Sequence, residues 1–297
     1  MRLCGPRAKG VRRPYDPPMV VSLGRFGVWR RDVELSPELA AGLEQLGYGT
    51  VWVGGSPGGE LVVPDQLLAA TRTLVVATGI VNIWKDDATT VATSYHRLEG
   101  RHPGRFLLGI GAGHREQNEG YGTPYESLQR YLDVLDAAEV PVERRVLAAL
   151  GPRVLRLAAE RAGGAHPYFT TPDHTREARA VLGPDRVLAP EQKGVLDSDP
   201  ARARELARPV LAMYLRLANY VSNFRRLGFT DSDFADGGSD RLLDALVAHG
   251  DAASVAGRVV AHLDAGADHV AIQLLTPPGA DPLDGYAELA GVLTAAR

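Results

Sequence analysis

Cysteine is almost absent: the 297-residue chain has one, Cys4. No intrachain disulfide framework can form, which suits a reducing, cytoplasmic setting. No run of about 18 apolar residues occurs, so no transmembrane helix is expected. A large excess of charge of either sign is missing too. Lys and Arg number 33 against 36 Asp and Glu, a formal net charge of −3. Nucleic-acid binding needs a clustered basic excess, so neither nucleic acid nor membrane is an expected partner. Several reaction motifs are missing as well. There is no G-x-S-x-G nucleophile elbow and no G-x-x-x-x-G-K-[ST] phosphate loop. The stretch "HREQNE", with His114, Glu116 and Glu119, lacks the paired histidines of H-E-x-x-H, and no metal is expected. The basic start "MRLCGPRAKGVRRPYDPP" lacks the apolar core of a secretory signal. Residues 1–19 read as a disordered arm.

Hydrophobic residues make up 45% of the chain, enough for a sizeable core. From Val20 onward, short apolar runs alternate with helical patterns. "SPELAAGLEQLGY" places Ser36 as N-cap, Pro37 in the first turn and Gly47 at the stop. "YESLQRYLDVLDAA" carries Leu128, Tyr131, Leu132 and Leu135 on one helical face. "LVVATGIVNIW", "RFLLGIGAG", "AHPYFTT" and "RVLAPEQKGVL" read as strands. Strands buried on both faces are continuous apolar runs, as these are. About eight strand–helix units predict an α/β (β/α)8 TIM barrel over residues 20–297. Residues 198–247 are too long for a plain link. They form an insertion before the last strand, with a helical break at Pro209.

In such a barrel the active site stands at the C-terminal strand ends. The sequence "FLLGIGAGH" ends one strand with Gly109, Gly111 and Gly113. It is not a dinucleotide-binding fingerprint, because the third glycine position is His114 and no helix starts before about Tyr125. Two readings of these glycines stay open: close approach of a ligand to the backbone, or relief of crowding inside the barrel. "LGPRVLRLAAE" leads Leu150, Gly151 and Val154 into a helix whose N-terminus favours a phosphate, though an ordinary strand–helix turn reads the same way. His166 reads as a strand-end residue with a satisfied hydrogen bond. Tyr95 and Tyr131 read as packing.

Four stretches together resemble the luciferase-like flavin-dependent oxidoreductases, especially the branch using the deazaflavin coenzyme F420. They are "LEQLGYGTVWVGG", "LVVATGIVNIW…ATTVATSYHRLEGRHPGRFLLGIGAG", "AALGPRVLRLAAERAGGAHPY" and "GRVVAHLDAGADHVAIQLL". The resemblance implies the bacterial-luciferase-like barrel, a cofactor at its C-terminal mouth and a homodimer through the early helices. It implies that Gly79 and Ile80 form a bulged dipeptide, often joined by a cis bond, behind the cofactor ring. Asn82 would meet the ring edge, and Gly55 would face the cofactor. Gly111, Ala112 and Gly113 would line its ribityl chain, and Leu150, Gly151 and Val154 its phosphate.

Where alcohol- and sugar-phosphate-oxidising relatives carry Asp-His, this chain has Gly55-Ser56. Where they carry Glu, it has His114. That substitution points away from sugar-phosphate oxidation and towards reduction of a C=C or C=N bond in a small organic molecule, with Ser56 and His114 as catalytic candidates. Trp84, Tyr220, Asn223 and Phe224 are candidates for substrate contact. The alternatives are an FMN-dependent monooxygenase on the same fold and a non-catalytic cofactor-binding homologue.

Overall fold

The computed structural model describes residues 21–117 and 122–295. The N-terminal arm and Glu119 lie outside these residues. Strand and helix alternate as β1 (Phe26–Arg31), α1 (Pro37–Gln45), β2 (Thr50–Gly54), α2 (Val62–Ala70) and β3 (Val75–Gly79). A two-residue β4 (Val81–Asn82) precedes α3 (Ala88–Arg101) and β5 (Phe106–Gly111). Then come α4 (Pro124–Ala137), β6 (Arg145–Leu147), α5 (Pro152–Arg161), β7 (Gly164–Ala165) and α6 (Pro172–Leu182). After β8 (Val187–Leu188) and β9 (Glu191–Leu196), the insertion holds α7 (Pro200–Tyr214), α8 (Ala218–Arg226), α9 (Asp231–Phe234) and α10 (Asp240–Leu246). The chain closes with β10 (Val247–Gly250), α11 (Ala252–Asp264), β11 (Val270–Leu274) and α12 (Pro282–Ala295).

The pairings are parallel, in the order β10-β9-β11-β1-β2-β3-β5-β6-β7-β8, with β4 on β5. The sheet curls until its ends meet through the chain itself. β8 runs through Ala189 and Pro190 straight into β9, which pairs with β11. Across this junction Ala189 N donates to Ala165 O (3.0 Å) on one side, and Ala271 N to Pro190 O (2.9 Å) on the other. β8 and β9 are therefore one barrel strand interrupted where proline cannot donate.

Local chemistry places the helices. Ser36, Asp87, Thr171 and Asp251 each accept a backbone N–H of the first turn of α1, α3, α6 and α11. Proline opens α1, α4, α5, α6 and α7, where its missing N–H costs nothing. Three expectations need correction. α7 runs through Pro209, and the break comes at residues 215–217. Its buried Ala203, Ala207 and Leu211 hold it against its neighbours on both sides of the proline, which removes one helical hydrogen bond. The strand expected over "AHPYFTT" is only Gly164–Ala165. The end of the helix expected over "DRLLDALVA" turns into β10, since Val247 pairs with Lys193.

Inside the barrel lie Trp29, Trp52, Ala77, Leu107, Val146, Ala189 and Ala271, with Val21 and Leu23 in the same cluster. Histidines buried here and beneath the surrounding helices are held neutral. Trp52 Nε1 donates to His269 Nε2 (3.0 Å), and the His269 Nδ1–H donates to Gly24 O (2.7 Å). His166 stacks on Trp52 at 4.0 Å and donates from Nδ1 to Ala189 O (2.6 Å). His262 lies between Thr175 Oγ1 (2.7 Å) and Gln192 Oε1 (2.9 Å). Burial depresses His166 and His262 to about 3, and His174 and His269 to about 4.

An unfolded chain takes up protons at these positions below about pH 6.5, while the folded chain refuses them until far lower. Their stabilising contribution is complete above pH 6.5 and is lost as pH falls towards 4. Each histidine should contribute a slope approaching about 1.4 kcal/mol per pH unit within that window. Urea melts at pH 7, 6 and 5 should show the midpoint falling steadily. An unchanged midpoint from pH 7 to pH 5 would refute this account.

Candidate functional site

The site builds from an irregularity in one strand. β3 pairs with β5 through Val76–Phe106 and Ala77–Leu107, and β4 resumes through Val81–Ile110 and Asn82–Gly111. Between them Gly79 and Ile80 stand opposite the single residue Gly109, which is a bulge. The Gly79–Ile80 peptide bond is cis. Thr78 bridges the gap with its side chain: Oγ1 donates to Gly109 O and accepts from Gly109 N, both at 2.8 Å.

This geometry bears on two glycines. A Cβ on Gly109 would sit 1.8 Å from Thr78 O. One on Gly111 would sit 3.0 Å from both Ala148 Cβ and Ile80 Cδ1. Packing therefore requires Gly109, while at the buried Gly111 the neighbours would have to give by a few tenths of an ångström. Gly113 is different: its φ of +57° makes the turn that leaves the strand. A Cβ on Gly79 would come within 2.8 Å of Trp29 Nε1 and 3.2 Å of His166 Nε2, two buried nitrogens without hydrogen-bond partners.

Asn82 is buried, and its Oδ1 accepts from Trp84 N (3.1 Å). Trp84 ties the loop to the end of β5 by donating from Nε1 to Ala112 O (2.6 Å). Gly55 and Ser56 both adopt left-handed backbone after β2 (φ +81° and +61°). His114 is gripped by the insertion: Nδ1 lies 3.3 Å from Asn219 Oδ1, and the ring is 5.5 Å from that of Tyr220. Two residues on, Glu116 accepts from Ala218 N (3.2 Å). Burial pushes the His114 pKa down, partly offset by Asn219 and Glu116. Tyr220 and Phe224 pack in the insertion's own core, and Asn223 is buried at 1% exposure.

A second end of the mouth suits an oxyanion. The N-terminus of α5 has no side-chain cap at Gly151. Arg226 Nη2 donates to Leu150 O (3.0 Å), and His174 Nε2 does so at 2.8 Å. Arg226 Nη1 is 4.0 Å from where a Gly151 Cβ would be, space that glycine leaves open. Asn223 also bonds Arg226, and its Nδ2 is a buried donor with no partner. Val154 is partly buried on the first turn of α5.

Sequence reasoning missed the polar cluster facing this mouth from β9 and β11. Lys193, fully buried, donates from Nζ to Glu191 Oε1 (2.9 Å) and Gln273 Oε1 (3.0 Å). Its ammonium lies 3.8 Å from the Tyr168 ring centroid and 4.5 Å from that of Phe169. Tyr168 OH donates to Gln273 Oε1 (2.8 Å), and Phe169 N to Glu191 Oε2 (3.0 Å). Burial pushes Glu191 up and Lys193 down to about 8, each opposed by its partner's charge. The available signal was a pair of opposite charges inside the apolar run "RVLAPEQKGVL".

The family model for luciferase-like monooxygenases matches residues 32–139. Over that segment the sequence is similar to the luciferase-like family. The barrel fold also overlays solved structures. An F420-dependent secondary alcohol dehydrogenase in complex with an F420-acetone adduct aligns with a TM-score of 0.73 at 14% identity, covering 92% of this chain and 99% of that one. The coenzyme F420 dependent tetrahydromethanopterin reductase from Methanopyrus kandleri aligns at 0.68 and 16% identity, with the same coverage. The oxygenating constituent of 3,6-diketocamphane monooxygenase from Pseudomonas putida, in complex with FMN, aligns at 0.57 and 16% identity, covering 91% and 96%. No curated protein matches this sequence. Among the described residues, no cluster of side chains could hold a metal ion, and no helix is long and apolar enough to cross a membrane.

The Thr78 bridge can be tested directly. Thr78→Val removes the hydroxyl at nearly constant volume and leaves Gly109 N and O buried without their side-chain partner. It should cost about 2–4 kcal/mol in urea unfolding, while Thr78→Ser stays near wild type. Equal stability of the Val and Ser variants would show that the bridge is dispensable.

Proposed function

We propose that this protein is an F420-dependent oxidoreductase acting on a small organic molecule, by reduction of a C=C or C=N bond in preference to sugar-phosphate oxidation. What supports this most is one mouth offering both a glycine platform at the Gly79–Ile80 bulge and an open oxyanion cradle at Gly151, where Arg226 faces an uncapped helix terminus. A flat cofactor with a phosphorylated side chain needs both ends. Gly79 and Ile80 would back the ring, Ala112 and Gly113 would border the side chain, and Leu150, Gly151, Val154 and Arg226 would hold the phosphate. Bound there, the deazaflavin supplies or accepts a hydride.

The remaining roles belong to side chains. His114, with Nδ1 turned to Asn219 and burial pushing its pKa down, favours the neutral form. That suits it to orient or accept a proton more than to serve as a standing acid. Ser56 and Trp84 flank the platform from neighbouring loops. A second reading, an FMN-dependent monooxygenase, draws on the FMN complex among the similar structures and on a cradle that fits either phosphate.

Fluorescence titration of the purified protein separates the two. F420 should bind and FMN should bind more weakly. Arg226→Gln should weaken F420 binding about tenfold or more, because a charge-assisted phosphate contact is lost. Tight FMN uptake without F420 binding would overturn the F420 reading. F420 binding with no turnover of any imine, enone or sulfoxide would favour a non-catalytic role.

A further inference from the structure

Gln273 ends the inner face of β11, in register with Lys193 of β9. Its amide orientation is forced. A protonated lysine can only donate, and Lys193 Nζ lies 3.0 Å from Gln273 Oε1. Tyr168 OH, at 2.8 Å, donates to the same oxygen. With both donors on Oε1, the Nε2 amide must face the other way, and it makes no hydrogen bond within the described residues. Gln273 is only partly buried, whereas Lys193 and Glu191 behind it are fully enclosed.

The surroundings define what this amide can meet. The Tyr168 ring lies 4.8 Å from the Trp29 ring and 5.6 Å from that of Tyr214. Trp29 in turn reaches the Gly79 platform through its Nε1. The buried cation here, Lys193, is paired with Glu191 at 2.9 Å, while Arg31, which acts on Tyr214, is exposed at the end of β1. The buried wall is therefore aromatic around a paired charge and carries one pre-oriented N–H donor.

We propose that Gln273 binds the carbonyl oxygen of a neutral, flat substrate through its side-chain amide, with Lys193, Glu191 and Tyr168 acting as positioning residues that hold the amide in that orientation. This rests on the oxidoreductase reading above and narrows its substrate class to uncharged conjugated carbonyl compounds. An anion gains nothing from a lysine already paired, and a hydrocarbon leaves the Nε2 donor unsatisfied.

The full-length protein, with and without added F420, should be titrated with acetophenone, a flat neutral ketone, and with benzoate, its anionic analogue of similar size. Acetophenone should bind saturably and at least about tenfold tighter than benzoate. The infrared carbonyl band of the bound ketone should shift to lower wavenumber. Gln273→Leu should weaken ketone binding about threefold to tenfold and abolish the band shift, the range of one hydrogen bond. Gln273→Glu, which keeps the volume but replaces the amide donor with a carboxylate, should do the same. The wild-type band alone decides the matter if either variant fails to fold. Absence of saturable ketone binding, benzoate binding as tight as acetophenone, or an unshifted band would overturn the proposal. Ketone binding with the shifted band but no F420 binding would support Gln273 and overturn the cofactor reading.

Discussion

One threonine hydroxyl carries the sheet across its own interruption. At Gly79–Ile80 the β3–β5 ladder gains a residue, and Gly109 loses its backbone partners on that side. Thr78 Oγ1 replaces both, donating to Gly109 O and accepting from Gly109 N. Because both groups are buried, leaving them unpaired would cost free energy that a marginally stable domain cannot spare. Packing then fixes the rest. Thr78 O lies so close to Gly109 that no side chain fits there, and Ile80 lies over Gly111. The platform at the mouth is thus a consequence of how the strand is repaired beneath it.

A second constraint is the enclosed pair Glu191–Lys193. Two charges taken out of water lose hydration that their mutual attraction only partly returns, and the balance depends on the remaining donors and acceptors being satisfied. Here Glu191 also accepts from Phe169 N, and Lys193 also donates to Gln273. Removing either partner would leave a buried charge alone, so the cluster behaves as a unit. Such a unit is a weak source of net stability and a strong source of orientation. It fixes the backbone at Phe169 and the amide of Gln273, both at the mouth.

The parts of this molecule written locally were legible in the sequence. Ser36 and Pro37 mark the start of α1, and continuous apolar runs mark doubly buried strands. The resemblance added the bulge at Gly79–Ile80. What escaped were features decided by distant partners. The spacing of Gly109 and Gly111 could not say whether a ligand or a crowded neighbour required glycine, because Thr78 O and Ile80 are some thirty residues away in sequence. Pro209 looked like a helix break, since nothing local shows that α7 is held along both halves. Lys193 drew no reading of its own, since its cage of Tyr168, Phe169 and Gln273 comes from two other segments. Phe224, a candidate for substrate contact, packs in the insertion's own cluster, because α8 turns that side chain towards it.

The insertion explains how one barrel could take a chemistry of its own. It touches the mouth at three separated points. Tyr214 of α7 packs against Phe169 and Tyr168 above Lys193. Asn219 of α8 holds His114, and the start of α8 holds Glu116. Arg226, at the other end of α8, reaches Leu150 beside the oxyanion cradle. A nine-residue helix therefore spans from the β5 loop to the start of α5. Under the proposed function, substitutions within it would alter both the surroundings of His114 and those of Gly151, while the Thr78 bridge and the platform below stayed unchanged. The barrel supplies the floor, and the contacts around the mouth are completed by a segment outside the β8–β9 junction through which the sheet closes.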